Sequence, residues 1–374
     1  MIKYSWTRFV ALVGVLLLVT ACSGTSRPKP ADIAPVQVLQ DFRQVWSADV
    51  GNIAFPSLLT VRDDRVALAN NNGSISVLDV KTGKDIWRVS INSAVSAGVG
   101  FDGQQAAVVT RDNQLVVLKD AKVQWRYKMP AQSFTAPLLA GGRVFVLTAD
   151  RIVMAFDASS GALLWTQQRT GEPLVLKQAG VLLAFKNTLL VGLSGRLLAL
   201  NPDNGVVRWE NAIATPRGVN DMERLVDLVG PANRVDDVVC VRAFQSQVGC
   251  VNAERGQLLW SRAAAGDMGV SGNDKLLVSA LSNGVVQAWN RANGERQWET
   301  ERLKYRALSA PLVTPRGVIV ADNGGFVYVL SLSDGALLNR VKLTGDTLAA
   351  PPVLVGNLVV LVTKEGRVSG YELP

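Results

Sequence analysis

The chain of 374 residues has no histidine and only three cysteines. Histidine is the usual general base, the commonest zinc ligand and a member of the Ser-His-Asp triad, so its absence excludes these kinds of site. An enzyme built from this chain would have to use carboxylates, lysine, tyrosine or a bound cofactor. Because the cysteines form no Cys-x-x-Cys pair, we do not expect a redox-active dithiol.

Basic residues outnumber acidic residues by 39 to 31, which gives a formal net charge of +8. The lysines and arginines are scattered along the chain, whereas nucleic-acid-binding surfaces usually cluster them with aromatic residues. We therefore expect a solvated basic surface and no nucleic-acid partner. A content of 48% hydrophobic and 19% charged residues is typical of a globular protein.

The N-terminal segment has the features of an export signal. Lys3 and Arg8 precede an apolar run at residues 9–19, which is short for a membrane-spanning helix, and small residues then lead to Cys22. Small residues directly before a cysteine resemble the cleavage motif of bacterial lipoproteins, in which the cysteine is acylated. The alternative is an ordinary signal peptide that happens to contain a cysteine.

The lipoprotein resemblance implies a removed signal at residues 1–21 and acyl chains on Cys22, where stable anchoring needs more than one chain. Ser23 rather than aspartate follows the cysteine, which in enterobacterial lipoproteins implies the outer membrane. Residues 22–40 contain three prolines and few apolar residues, so we predict an extended tether. The rest of the chain would then lie close to the membrane without being embedded in it.

A tryptophan phrase recurs about every 40 residues, and such a period is typical of solenoids and propellers. In most copies a glycine lies four residues before the tryptophan, and an aspartate or asparagine lies four residues before the glycine. The tryptophan positions are Trp46, Trp87, Trp125, Trp165, Trp209, Trp260 and Trp298, with Asn339 in the eighth. Each period contains four short runs rich in β-branched residues, separated by turn residues, which predicts one four-stranded propeller blade. The tryptophans are then expected to fill space between stacked blades, and the Asp/Asn–Gly phrase to form a capped turn.

Counting the third strand of each period gives eight blades. The last period lacks an outer strand, and the segment around Trp46 has no partner before it. The sequence therefore predicts an eight-bladed β-propeller of four-stranded antiparallel blades over residues 41–374. In it the N-terminal strand completes the last blade and closes the ring.

The fifth period is enlarged, since Trp209 and Trp260 lie 51 positions apart. The extra residues precede its second strand, and long loops on regular scaffolds often carry function. Cys240 and Cys250 lie in its second and third strands, where a hairpin would bring them into reach of a disulfide. Export favours oxidation. Two buried free thiols are the alternative.

The blade phrase resembles the repeat of quinoprotein enzymes. Together with the lipoprotein signal, the eight periods and the length, the whole chain resembles the BamB family of lipoproteins, accessory components of the outer-membrane β-barrel assembly machine. The resemblance implies a non-catalytic scaffold without a cofactor, monomeric by itself and lipid-anchored at the periplasmic face of the outer membrane. It would dock on the periplasmic domains of BamA and assist delivery of unfolded outer-membrane proteins.

The same resemblance implies a partner-binding site. The family carries a Leu-x-Leu-Arg pattern before its fourth blade and a pair of aspartates in the enlarged loop. Here lysine replaces the arginine, which keeps the charge but loses the bidentate geometry, and Val229 occupies the place of the second aspartate. The expected partner-binding residues are Leu174, Leu176, Lys177, Arg224 and Asp227. Without the resemblance, the two leucines are equally compatible with ordinary strand core.

A quinoprotein dehydrogenase or a propeller that binds a small ligand is the rival interpretation. Such enzymes need clustered carboxylates for calcium, usually two adjacent cysteines, and a catalytic aspartate above the quinone. No two cysteines are adjacent, and the chain is short for the loops that would cover the cofactor. We therefore expect a binding protein.

Overall fold

The computed structural model describes residues 28–33, 42–169, 174–221, 223–345 and 347–373. The predicted signal at residues 1–21, the predicted lipid site Cys22 and most of the predicted tether lie outside the described residues. Within the described part, the chain forms 32 strands in eight antiparallel sheets of four strands each. No helix of the described residues is long and apolar enough to cross a membrane.

The strands follow the chain blade by blade, except that β1 (Arg43–Asp49) belongs to the last blade. Blade 1 consists of β2 (Thr60–Arg62), β3 (Arg65–Ala69), β4 (Ser74–Asp79) and β5 (Asp85–Ser90), and blade 2 of β6 (Val95–Phe101), β7 (Gln105–Thr110), β8 (Gln114–Lys119) and β9 (Lys122–Lys128). Blade 3 consists of β10 (Leu138–Ala140), β11 (Arg143–Leu147), β12 (Ile152–Asp157) and β13 (Leu163–Gln168), and blade 4 of β14 (Leu182–Phe185), β15 (Thr188–Leu193), β16 (Arg196–Leu200) and β17 (Val207–Ala212).

Blade 5 consists of β18 (Leu228–Val235), β19 (Val238–Ala243), β20 (Gln247–Asn252) and β21 (Gln257–Ala263), and blade 6 of β22 (Ser271–Gly272), β23 (Leu276–Ala280), β24 (Val286–Asn290) and β25 (Arg296–Thr300). Blade 7 consists of β26 (Leu312–Thr314), β27 (Gly317–Ala321), β28 (Phe326–Leu330) and β29 (Leu337–Lys342). Blade 8 consists of β30 (Val353–Val355), β31 (Leu358–Val362) and β32 (Arg367–Glu372) together with β1. The predicted eight-bladed propeller is confirmed. Its closure is also confirmed, since β1 pairs antiparallel with β32 from Arg43–Glu372 to Asp49–Arg367.

Stacking of the blades explains the sequence of each strand type. In β3 and β4 four consecutive residues are buried, because the two middle strands of a blade are covered on both faces. In the outer strand β5 exposed and half-buried residues alternate instead. Middle strands accordingly read as continuous apolar runs and outer strands as alternating ones.

Six of the seven repeating tryptophans pack against the glycine turn of the next blade. Trp165 on β13 of blade 3 is buried, and its indole nitrogen donates a 2.9 Å hydrogen bond to the carbonyl of Pro202 in blade 4. The ring lies against Gly205 so closely that a Cβ atom on that glycine would stand 2.6 Å from Trp165 Cε3. Gly205 is therefore required both by its φ of 73° and by the indole of the neighbouring blade. The same contact pairs Trp46 with Gly83, Trp125 with Gly161, Trp209 with Gly256, Trp260 with Gly294 and Trp298 with Gly335.

The two exceptions to the repeat follow from this contact. After Trp87, the next blade makes its outer turn at Asp120–Ala121 without a glycine, and the indole of Trp87 stays half-buried. After Asn339, the next blade takes its outer strand β1 from the other end of the chain. That blade therefore has no turn between its third and fourth strands for a tryptophan to cover.

The turn before each glycine is capped as its sequence predicts. In blade 3 the carboxylate of Asp157 accepts hydrogen bonds from the amides of Ser159 and Ser160, at 3.0 and 2.8 Å, and from both hydroxyls. These bonds lower the pKa of Asp157 to about 2, with the Ser159 hydroxyl the largest cause. The ionised aspartate thus fixes the turn on which the tryptophan of the previous blade packs.

Antiparallel order places successive connections on alternate faces of the ring. One face carries the turns between second and third strands together with the crossovers that lead to the next blade. We call it the crossover face. The turns between third and fourth strands lie on the opposite face. The extra residues of the fifth period lie in the crossover between β17 and β18, at residues 213–227.

Part of the predicted tether belongs to the ring. The described residues 31–33 belong to the same compact unit as the blades, and the domain boundary at residue 41 stays a prediction. The amide of Ala31 donates to the carbonyl of Lys304, and Ile33 packs against the buried core between blades 6 and 7. Sequence composition missed this attachment because it depends on one apolar side chain and one backbone hydrogen bond within a proline-rich stretch.

Candidate partner-binding site

Two crossovers meet on the crossover face and carry every predicted partner-binding residue. Leu174, Leu176 and Lys177 lie between β13 and β14, and Arg224 and Asp227 lie between β17 and β18. Gly180 forms an isolated antiparallel bridge with Val229, and the amide of Gly230 donates to the carbonyl of Ala179 at 2.8 Å. The two segments are therefore fixed to each other by backbone hydrogen bonds as well as by side chains.

Arg151 is the side chain that holds this site together. Its guanidinium donates to the hydroxyl of Ser194 at 2.5 Å, to the carbonyl of Leu174 at 3.0 Å, and to the carboxylate of Asp227 at 3.3 Å. The residue is 6% exposed, so the ion pair is shielded from water. One buried cation thus ties together blade 3, blade 4 and both crossovers.

The repeat contains a sequence signal for Arg151, in the turn before the third strand of its blade. Arg151 has a φ of 63° and occupies the last turn position before the third strand of its blade. Blades 1, 4, 7 and 8 place glycine in that position and blade 2 places asparagine there, each with positive φ: Gly73, Gly195, Gly325, Gly366 and Asn113. Left-handed backbone costs a non-glycine residue about 1–2 kcal/mol, and such strain is often retained at functional sites. An arginine where the repeat favours glycine therefore indicates a special role.

Asp227 supports the site from within. Besides Arg151, its carboxylate accepts the amide of Ser194 at 3.2 Å and the amide of Leu176 at 3.4 Å, and its side chain is 18% exposed. The partner-binding role expected for Asp227 stays a prediction. In the structure its oxygens accept bonds from both sides of the site, which positions the crossover that carries Leu174 and Leu176.

The other expected residues differ in how far they reach the surface. Leu174 is 37% exposed and Lys177 is also exposed, whereas Leu176 is half-buried over a groove between blades 3 and 4. Arg224 is half-buried and forms a 2.5 Å ion pair with Asp221 in its own loop. Val229, where the family pattern has its second aspartate, is 1% exposed within β18. A partner would therefore meet Leu174 and Lys177 first.

A third crossover braces the site from the side. The side-chain amide of Gln178 donates from Nε2 to the carbonyl of Asp267, which lies between β21 and β22. This crossover is held in turn by Arg242, which is fully buried and donates to the carbonyls of Ala264 and Ala280. Burial lowers the pKa of Arg242 to about 10, and the nearby Asp267 opposes that shift. Hydrogen bonds therefore connect the site to a third consecutive crossover.

Cys240 and Cys250 lie directly opposite each other on β19 and β20, and the structure joins them in a disulfide. Both are fully buried in blade 5, in an apolar cluster that includes Trp260 and Trp289. Among the described residues, no group of three or more histidine, cysteine or acidic side chains is arranged to hold a metal ion.

Residues 71–300 match the family model described as outer membrane protein assembly factor BamB. The BamB of Burkholderia pseudomallei is 36% identical over 97% of this chain and 97% of its own length. The chain belongs to the BamB family. The BamB of Bordetella pertussis is 32% identical over 97% of this chain and 96% of its own length. The family resemblance inferred from the repeat and the N-terminal signal is confirmed, and so is its role in outer-membrane protein assembly.

Solved structures agree on the architecture. The crystal structure of BamB from Moraxella catarrhalis superposes with a TM-score of 0.81 at 22% identity, and the match covers 89% of this chain and all of that one. Quinohemoprotein alcohol dehydrogenase from Comamonas testosteroni gives a TM-score of 0.67 at 12% identity over 90% of this chain and 77% of its own. These likenesses concern the fold.

Proposed function

We propose that this BamB-family protein is a non-catalytic scaffold that docks on the periplasmic domains of BamA and assists delivery of unfolded outer-membrane proteins. We also propose that it is held at the periplasmic face of the outer membrane by acyl chains on Cys22. Relatives over nearly the full length of the chain are named assembly factors, which supports a role in assembly rather than in catalysis.

The observation that carries the docking proposal is the presentation of Leu174 and Lys177. Leu174 is an exposed aliphatic residue, and its backbone carbonyl accepts a hydrogen bond from the buried Arg151. Lys177 lies three positions further along the same loop. A braced loop loses little conformational entropy when a partner binds, so more of the contact energy appears as affinity. The pair fits a partner surface with an apolar pocket beside an acidic group.

The proposal is tested by calorimetric titration of the chain lacking residues 1–22 with the periplasmic part of BamA. We expect a dissociation constant of about 1 μM, which corresponds to roughly −8 kcal/mol. Leu174→Asp should weaken binding by about 2 kcal/mol or more, approximately 30-fold, because it places a charge against the apolar pocket. Lys177→Glu should also weaken binding, because the glutamate repels the acidic group on the partner. This loss of affinity should be larger at low salt than at high salt, since salt screens the repulsion.

Leu259→Asp is the matched control. Leu259 is 38% exposed, against 37% for Leu174, but lies on the outer strand β21 of blade 5. Its substitution should leave the affinity unchanged at the same thermal stability. An unchanged affinity of Leu174→Asp would mean that the docking surface lies elsewhere on the ring, and an equal loss from both variants would mean that the loss is not specific to the Leu174 loop. Absence of binding by the unsubstituted chain would contradict docking on BamA itself.

A further inference from the structure

The chain enters the ring at a defined place. The amide of Ala31 donates a 3.0 Å hydrogen bond to the carbonyl of Lys304, and the carbonyl of Ala31 accepts one of 3.0 Å from Nη2 of Arg306. Two residues later, Ile33 packs against a buried cluster that includes Leu303 and Leu308. All of these partners belong to the crossover between β25 and β26, so the segment Ala31–Ile33 lies on the crossover face.

Arg306 is itself held by a buried carboxylate of blade 7. Its Nη1 donates to Asp322 at 2.9 Å, and the carboxylate of Asp322 is 1% exposed. The same carboxylate accepts the hydroxyl of Tyr328 at 2.7 Å and the amide of Phe326 at 3.0 Å. Burial beside this aspartate raises the pKa of Tyr328 well above its usual range, so the phenol keeps its proton. The guanidinium that holds Ala31 is thus anchored in the core of blade 7.

We infer that the crossover face of the ring is the face turned toward the lipid surface. The inference rests on the anchoring at Cys22 proposed above. Cys22 precedes Ala31 by nine positions, so a chain of that length separates the two by at most about 30 Å. A short connection from a fixed point on one face keeps that face nearer the membrane than the opposite face. The exposed Leu174 and Lys177 lie on the same face, and BamA would therefore be engaged on the membrane-proximal side of the ring.

The experiment compares two fluorescent labels in blade 7 of the full-length lipidated protein. Asn323→Cys lies in an exposed turn on the crossover face, and Ser333→Cys lies in an exposed turn on the opposite face. The strand β28 between them has five residues and spans about 17 Å. Bound to vesicles of phosphatidylethanolamine and phosphatidylglycerol with a headgroup acceptor, the label at position 323 should show the more efficient energy transfer. Cys240 and Cys250 are joined in a disulfide and do not react with the label.

Ile33→Asp tests whether the docked segment sets this orientation. The variant removes the apolar contact and leaves the pair of Arg306 and Asp322 intact, so the difference between the two labels should shrink while the vesicles still bind the protein. Asp32→Asn is the control, because Asp32 is exposed and its change should leave the difference intact.

Each outcome has a separate meaning. Equal transfer from both labels, or greater transfer from position 333, would overturn the inference when flotation with the vesicles still requires Cys22. If Cys22→Ser floats as well as the unsubstituted chain, the lipid attachment is wrong and the inference falls with it. Neither result touches docking on BamA, which the titration measures independently.

Discussion

Replacing Gly205 by alanine should destabilise the ring by about 2–5 kcal/mol, a large effect for one methyl group. The first part is backbone strain, because a φ of 73° costs an L-residue about 1–2 kcal/mol. The second part is overlap with the neighbouring blade. The new Cβ would stand 2.6 Å from Cε3 of Trp165 and 3.0 Å from two further ring atoms, and overpacking of this kind costs about 1–3 kcal/mol.

Gly142→Ala separates the two parts. Gly142 has a φ of 71°, nearly that of Gly205, but a Cβ atom there would have no heavy atom within 4 Å. Its substitution should cost only the backbone strain, less the small gain from a stiffer unfolded chain that both variants share. The difference between the two variants therefore measures the contact between the indole and the glycine.

The assay is equilibrium unfolding in urea followed by circular dichroism, because Trp165 is itself varied in the second half of the experiment. Trp165→Ala should cost about 3–5 kcal/mol by leaving a cavity between blades 3 and 4. In that background Gly205→Ala should cost no more than Gly142→Ala does, since the ring that it overlaps is gone. If Gly205→Ala and Gly142→Ala are equally destabilising in the unsubstituted protein, the interblade role of the tryptophan repeat is refuted.

Three further predictions concern the site and its surroundings. Arg151→Met should lower the unfolding free energy by about 1–3 kcal/mol, since it removes the cation from a shielded carboxylate, and should weaken BamA binding in the titration; unchanged affinity would contradict its positioning role. A variant with alanine at both Cys240 and Cys250 should have a free energy of unfolding about 3 kcal/mol lower in urea, because it lacks the cross-link over this short loop. Added reductant should destabilise only the unsubstituted protein. The pKa of Asp157, about 2, should move toward 3.8 in Ser159→Ala when its carboxyl is titrated by NMR. Because folding lowers this pKa, the associated stability is present above pH 4 and is lost as the pH falls toward 2.

The sequence was sufficient for the architecture because each blade is encoded locally. Four short strands, a capped turn and one tryptophan recur within each period, and their spacing requires no knowledge of distant contacts. Even the closure by β1 could be predicted, because pairing the unpaired first strand with the incomplete last blade satisfies the open edges of both. What the repeat did not disclose was the partner of each tryptophan. The glycine that it covers belongs to the following period, about forty residues further on.

The site was harder to predict for the same reason. Arg151 binds groups that lie 23, 43 and 76 positions away, at Leu174, Ser194 and Asp227. The separation of 43 positions is close to one period of the repeat, but the period does not indicate which side chains meet, and the family pattern marked the loops without indicating the residue that joins them. The attachment of Ala31 to Lys304 spans a still larger separation and remained hidden in a proline-rich stretch. Local pattern therefore predicts elements, whereas ion pairs between different blades require the closed ring.

The repeat also explains where the ring can recognise a partner. Eight identical blades would present eight equivalent sectors, and a single partner would bind each of them with the same affinity. The symmetry is broken where an arginine takes the place that glycine holds in other blades, and where the crossover before β18 is enlarged. These two departures lie in blade 3 and in the crossover from blade 4 to blade 5, and they meet through one ion pair, that of Arg151 with Asp227. The buried guanidinium of Arg151 therefore distinguishes one sector of the crossover face from the others and fixes the loop that presents Leu174 and Lys177 there.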